Sequence, residues 1–346
     1  MRPSAYPALS LIVEWENTRN SKKSRAAEML RRLFRQLTAL DDRFAVAPEI
    51  ILVHDVADGS AGQILTETEA ANTSFGGNVR TCPCEGLDYY DQKNLGACDA
   101  RGEVIIFVDS DVIPEDGWLE ALLECYIEER PDVVAGATYI NGPSLYDRAF
   151  ALFWFFPTEV DYQRRSRALT RYFFANNVMF RATVFRRAMF PDAPLVRGRC
   201  IMLADQILKS GHRIIAEPRA RTQHPAPNGL KHFVYRALCE GQDNAHFESA
   251  HRKSFTALRH FKGNILRTSR SIASHHRDVG LNRTGALGAM FIAFAYYGLS
   301  FCGELLTAAF PDFIRRICES KRARAARYIR TRNLGPTAAQ QSLRRD

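Results

Sequence analysis

Residues 103–108 (EVIIFV) run straight into Asp109-Ser110-Asp111, and this junction narrows the possible folds more than any other part of the chain. An apolar run this short and rich in branched side chains reads as a strand covered on both faces. Similar runs stand at 9–15 (LSLIVEW) and 49–53 (EIILV), with a weaker one at 78–82. Helices fall between them. Ala26, Met29, Leu30, Leu33, Phe34 and Leu37 recur three and four apart, 91–100 forms a short helix, and 115–129 forms another closed by Arg130-Pro131. Residues 132–137 return as a strand. Strands and helices alternating at this spacing predict an α/β fold with a doubly wound, mostly parallel, Rossmann-like sheet. Ligands of such sheets bind beyond the carboxyl ends of the strands. Three strands end there in acids: Glu14 and Glu16, Asp55, and Asp109 with Asp111.

Asp109 and Asp111 are one residue apart, so in extended chain both carboxylates project to the same side. Two such groups repel unless a cation lies between them, and Mn²⁺ or Mg²⁺ shared with a diphosphate is the natural occupant. The plain alternative is a solvated acidic turn after a buried strand. Residues 145–190 are aromatic and basic and suggest a second lobe, with a short strand or turn at 173–180. A helix is expected at 197–211, then a short strand at 213–217 leading to His224.

The chain has 346 residues with 47 Lys+Arg against 38 Asp+Glu, a formal charge of +9 that suits an anionic partner. No nucleic-acid-binding module matches, so that partner is not expected to be nucleic acid. The eight cysteines are scattered, and Cys82 and Cys84 lack the second pair a structural zinc site needs. Mostly buried, reduced thiols are expected. Residues 1–8 carry no apolar signal region, so a cytoplasmic catalytic part is expected.

The stretches EIILVHD, QKNLGACDARGEVIIFVDSDVIPEDGWLEAL and NNVMFRATVF resemble, in order, the blocks of the family-two glycosyltransferases of the GT-A fold. The resemblance covers roughly residues 9–225 and is strongest at 92–120. It implies transfer of a hexose from a nucleoside-diphosphate sugar, a UDP-sugar first of all, with inversion. It also assigns roles: Asp111 as metal ligand, Asp109 on metal or ribose, Asp55 on the base, Lys93 beside Asn94 on the diphosphate, and His224 completing the metal site.

Two places depart from the family pattern. The first strand runs into Glu14-Trp15-Glu16-Asn17 where the family has Pro/Thr-x-Tyr-Asn, so Glu14 and Glu16 become the candidates for base or ribose contacts. Eleven residues before Gly211 the family carries Glu-Asp, whose Asp is the general base. Here Arg199-Cys200 stands there. Asp205 is the leading replacement and Asp192 a weaker one, although five residues turn a helix by about 500° and aim Asp205 away from Cys200. A catalytically silent, membrane-bound nucleotide-sugar binder is the reading favoured by that gap. Nucleotidyl transfer is a further alternative, against which the first strand lacks a Gly-rich basic loop.

Residues 285–310 hold one charge, Glu304, in 26 positions. That length can cross a bilayer, but basic stretches at 252–283 and 315–332 flank both ends and favour a helix lying in the interface. The expected organisation is a catalytic domain at 1–230, a helical membrane-associating region at 231–334 and a disordered tail at 335–346. A membrane surface and a lipid-linked or glycan acceptor follow from that placement, at the cytoplasmic face of the cell membrane, in cell-envelope or exopolysaccharide synthesis.

Overall fold

The computed structural model describes residues 5–318 except 20, 22, 58, 72–74, 194 and 250–255. The tail expected at 335–346 lies outside the described residues. The strands are β1 (Leu9–Glu14), β2 (Glu49–Asp55), β3 (Asn78–Cys84), β4 (Val104–Asp109), β5 (Ile113–Pro114), β6 (Val133–Ile140), β7 (Ala168–Leu169), β8 (Asn177–Arg181) and β9 (Ile214–His224). The helices are α1 (Lys23–Ala39), α2 (Ser60–Ala71), α3 (Tyr89–Asp99), α4 (Trp118–Glu129), α5 (Leu145–Phe153), α6 (Glu159–Gln163), α7 (Ala182–Ala188), α8 (Arg199–Lys209), α9 (Gly229–Ser249), α10 (Ala257–His275), α11 (Arg283–Ala309) and α12 (Pro311–Cys318).

The sheet runs β3-β2-β1-β4-β8-β6-β9-β5, with β7 pairing β9. β3, β2, β1 and β4 are parallel, as their apolar runs predict, whereas β8 is antiparallel to both β4 and β6. Side chains alternate across it. Leu11, Val13, Ile106 and Val108 meet Leu30, Leu33, Phe34, Trp118 and Leu122 of α1 and α4. Ile12, Ile105 and Phe107 face Leu95 of α3, Phe185 of α7 and Leu203 and Ile207 of α8 on the other side. Both faces are therefore covered, which is why these strands are apolar throughout.

β9 differs from expectation. It continues to His224 instead of ending near 217, because a bulge lets it resume pairing with β6: Gly136 pairs Glu217, and Ala137 then pairs Arg221. The buried amide of Asn177 fills that break. Its Nδ2 donates to Ala137 O, Ala220 O and Thr222 Oγ1, and its Oδ1 accepts from Trp118 Nε1. A Cβ on Gly136 would lie 2.2 Å from Asn177 Oδ1, so glycine is required for the close approach.

None of the eight cysteines is in a disulfide, and five of them are buried. α11 is long and apolar enough to cross a membrane, yet it packs lengthwise into a third apolar cluster with α5, α9 and α10. Trp154 Nε1 donates to Tyr296 OH, Tyr297 OH donates to Phe153 O, and His260 Nδ1 lies 3.0 Å from Glu304. The closest approach of α11 to α9 is at Gly303 against Gly241, where a Cβ on Gly241 would meet Ser300 O at 2.1 Å.

Asn177→Ala leaves two carbonyls and an indole N–H buried without partners, and should cost about 2–4 kcal/mol. A lowered denaturant midpoint with an unchanged slope is the expected outcome; an unchanged midpoint would show that the amide does not hold the bulge.

Candidate metal and nucleotide site

The parallel register sets Glu14 of β1 directly beside Asp109 of β4. Both side chains are buried, and three neighbours make this tolerable. Lys93 Nζ, fully buried on α3, lies 2.7 Å from Asp109 Oδ1. Asn17 Nδ2 donates to Glu14 Oε1 at 2.9 Å and to Asp109 Oδ2 at 3.0 Å. Tyr89 OH donates to Asp109 Oδ1 at 2.9 Å. Burial, then the charge of Asp109, pushes the Glu14 carboxyl well above its ordinary range.

Beyond this ladder opens a cavity of about 600 Å³. Asp109, Asp111 and His224 line it and offer ligand atoms within 4.8 Å of one another. Asp111 Oδ1 is buried with no hydrogen-bond partner. His224 Nδ1 is 2.6 Å from Pro225 O, and since a carbonyl only accepts, Nδ1 carries the proton and Nε2 keeps its lone pair. Burial pushes this imidazole down to about 3, so it stays neutral. Two carboxylates, one with an unpartnered oxygen, and a neutral imidazole with a free lone pair are a donor set that fits Mn²⁺ or Mg²⁺.

The other expected site residues fall differently. Lys93 does not line the cavity; it neutralises Asp109 from beneath instead of meeting a diphosphate. Glu14 is fully buried and accepts from the backbone N–H of Glu16 and Asn17, so it holds the turn after β1 and cannot reach a ligand. Glu16 also lies outside the cavity lining, and Asn17 lines the wall in its place. Asp55 ends β2 outside the cavity and accepts from Ala57 N and Gly86 N.

Asp205 is excluded as a base by position. It sits half-exposed on the outer face of α8, 2.6 Å from Lys209, while Cys200 of the same helix lines the cavity. The helical rotation between the two explains the separation. Asp192 is exposed and also outside the lining. Arg199 is buried beneath, paired with Asp88 at 2.7 Å and Asp91 at 3.0 Å, so the position that carries an acid in the family here pins α8 to α3.

Several lining residues carried no sequence signal. Arg25 reaches across from α1 to donate to the carbonyls of Asp111 and Gln223, tying together the segments that bear the ligands. Arg197 lies over the Tyr89 ring at 4.9 Å and Arg236 over the Trp154 ring at 5.1 Å. His232 Nδ1 accepts from Asn228 N at 3.0 Å, which leaves its proton on Nε2, and burial pushes it down to about 3. The two histidines are thus held in opposite tautomers.

Comparison with known proteins bears on the family and the fold. Residues 18–189 match the family model described as glycosyl transferase family 2. Glycosyltransferase GlyG of Streptococcus pneumoniae is 35% identical over 115 residues, which are 33% of this chain and 35% of that protein, so the match spans about a third of that relative's length. A mannosyltransferase from Pyrobaculum calidifontis, solved with GDP-mannose and Mn²⁺, superposes over 90% of this chain and 89% of that one, with a TM-score of 0.56 at 14% identity, which shows a shared fold. Asp109, Asp111 and Lys93 all fall within the matched segment, and the chain belongs to glycosyl transferase family 2, with the GT-A fold.

Proposed function

We propose that the chain transfers a hexose from a nucleoside-diphosphate sugar, a UDP-sugar first of all, with inversion, to a lipid-linked or glycan acceptor. The observation that carries this reading is the triad of Asp109, Asp111 and His224 lining a cavity at the carboxyl edge of the sheet, with Asp111 Oδ1 buried and unpartnered. A divalent ion held there would bind the diphosphate and offset the charge on the leaving nucleoside diphosphate. Asp55 stands two strands from Asp109, about 10 Å away, which is the reach of a ribose and base, and we assign it to the base. Arg25 keeps the ligand-bearing segments in register, and Lys93 pairs with Asp109 from beneath. The bound diphosphate of the Pyrobaculum enzyme supports the same donor class.

In calorimetric titration, one of UDP and GDP should bind with Mn²⁺ and fail to bind when EDTA replaces it. Asp111→Asn should weaken binding at least about 100-fold, since it removes a charged ligand from a buried site. Affinity unchanged by metal or by the substitution would sink the assignment.

We further place the enzyme at the cytoplasmic face of the cell membrane, in synthesis of an envelope or exported glycan. α11 turns Leu287, Phe291 and Phe294 outward, 64%, 76% and 56% exposed, at helical spacing along one face. α10 beside it carries Arg259, Lys262, Arg267 and Arg270 and no acid. The packed opposite face of α11 supports a helix lying in the interface over one that spans. The chain should co-sediment with vesicles containing phosphatidylglycerol and release in high salt. Phe291→Glu with Phe294→Glu should cut partitioning by about tenfold or more; equal partitioning would remove this surface from the account.

A further inference from the structure

We propose that the nucleophile accepted by this site is a phosphate-monoester oxygen at the head of an apolar chain, a lipid phosphate, and not a hydroxyl group. The proposal rests on the transferase reading above and specifies its acceptor.

A hydroxyl acceptor must lose its proton to a base within hydrogen-bond reach. Among the described residues, the cavity-lining carboxylates besides the metal pair are Glu28 and Asp147. Glu28 is bound by Arg31 and Arg32, and Asp147 is held in the capping box of α5 by Ser144. His232 presents an N–H, not a lone pair. Cys200 is a thiol whose pKa is raised by burial. The place where an inverting relative would keep its base therefore holds no group suited to the task. A phosphate monoester needs none: its second pKa is about 6, so at neutral pH it is already an anion with free oxygen lone pairs.

The same wall supplies what such an anion requires. The buried Nε of Arg197 has no hydrogen-bond partner, and Arg197 and Arg236 spread their guanidiniums over aromatic rings beside the cavity. Burial opposes the charge on Arg197, but Glu16 and the neighbouring tyrosines outweigh it, so the guanidinium is held charged. Guanidiniums bind phosphate through paired N–H groups, and the His232 N–H adds a neutral donor. An exit for an apolar chain is also present. Trp154, Phe155 and Phe156 line one side. At the rim, Tyr146 lines the cavity while its neighbour Leu145 packs on Gly288 of α11, the helix whose outer face carries Leu287, Phe291 and Phe294. A lipid phosphate seated here would have its head at the guanidiniums and its chain directed toward the membrane-facing helix.

In the step itself, an acceptor phosphate oxygen forms the bond to C1 of the hexose. The bond from C1 to the donor's diphosphate oxygen breaks, and its electron pair leaves with the nucleoside diphosphate. No proton moves. The product is a hexosyl phosphodiester of inverted anomeric configuration.

The test uses the full chain with Mn²⁺, labelled nucleotide sugar of the kind it binds, and three acceptors: a polyprenyl monophosphate, the corresponding free polyprenol, and inorganic phosphate. Label should pass to the polyprenyl monophosphate alone, in a product cleaved by mild acid. Arg197→Ala and Arg236→Ala should each raise KM for that acceptor about tenfold or more while leaving metal-dependent nucleotide affinity in place. Transfer to the polyprenol, or to a glycan hydroxyl in an acid-stable product, would overturn the phosphate acceptor and leave the transferase reading standing. Equal use of inorganic phosphate would overturn the apolar-chain requirement. Nucleotide binding without transfer to the lipid phosphate, or equal loss of nucleotide affinity in the arginine variants, would also refute the proposal. Failure to bind any nucleotide would instead strike at the transferase reading.

Discussion

Glu14 and Asp109 stand side by side at the end of a parallel ladder, both out of water, and the rest of the site is arranged around that fact. Two adjacent buried carboxylates are unfavourable unless one holds its proton or cations and donors surround them. Here Lys93, Tyr89 and Asn17 converge on Asp109, and burial beside Asp109 pushes the Glu14 carboxyl well above its ordinary range. This leaves Asp109 oriented and Asp111, in the turn that follows β4, with an oxygen that nothing in the protein satisfies. The strand that builds the core therefore ends in a charge pattern awaiting a cation.

The third ligand comes from the far half of the sheet, and its arrival depends on an irregularity. A regular β9 would stop pairing near the turn at 218; the bulge, filled by the Asn177 amide, lets it continue to His224. Trp118 from α4 and Arg25 from α1 then tie that half to the first one. Beyond His224, the Pro225–Pro227 segment hands the chain to α9, which carries His232 and Arg236 back to the cavity and packs along α11. The helix with the outward apolar face is thus packed along the helix that lines the cavity.

Much of this was legible in the sequence because it is local. Apolar runs of strand length, the one-residue spacing of Asp109 and Asp111, and the position of His224 at the end of the last strand all lie within short windows. What failed depended on direction or on distant partners. Glu14 was read as a ligand contact, but it shares the face of Ile12 and the backbone turn after β1 folds onto it. Lys93 sits on the helix where it was expected, yet points down to Asp109 because that is the charge within reach. Arg199 looked like a gap in the catalytic pattern; its partners Asp88 and Asp91 are more than a hundred residues earlier, and no pattern along the chain links them. Arg197, Arg236 and His232 are ordinary residues in sequence and become a cluster only through the path of α9.

The claim on which the account turns is that His224 completes a metal site with Asp109 and Asp111, in the tautomer that the Pro225 carbonyl imposes. Electron spin-echo modulation of bound Mn²⁺ in the presence of nucleoside diphosphate reads this directly. Nitrogen-14 modulation from a coordinated imidazole is expected in the wild type and should disappear in His224→Gln. Mn²⁺ bound with no nitrogen modulation, or with modulation that persists in the variant, would contradict it.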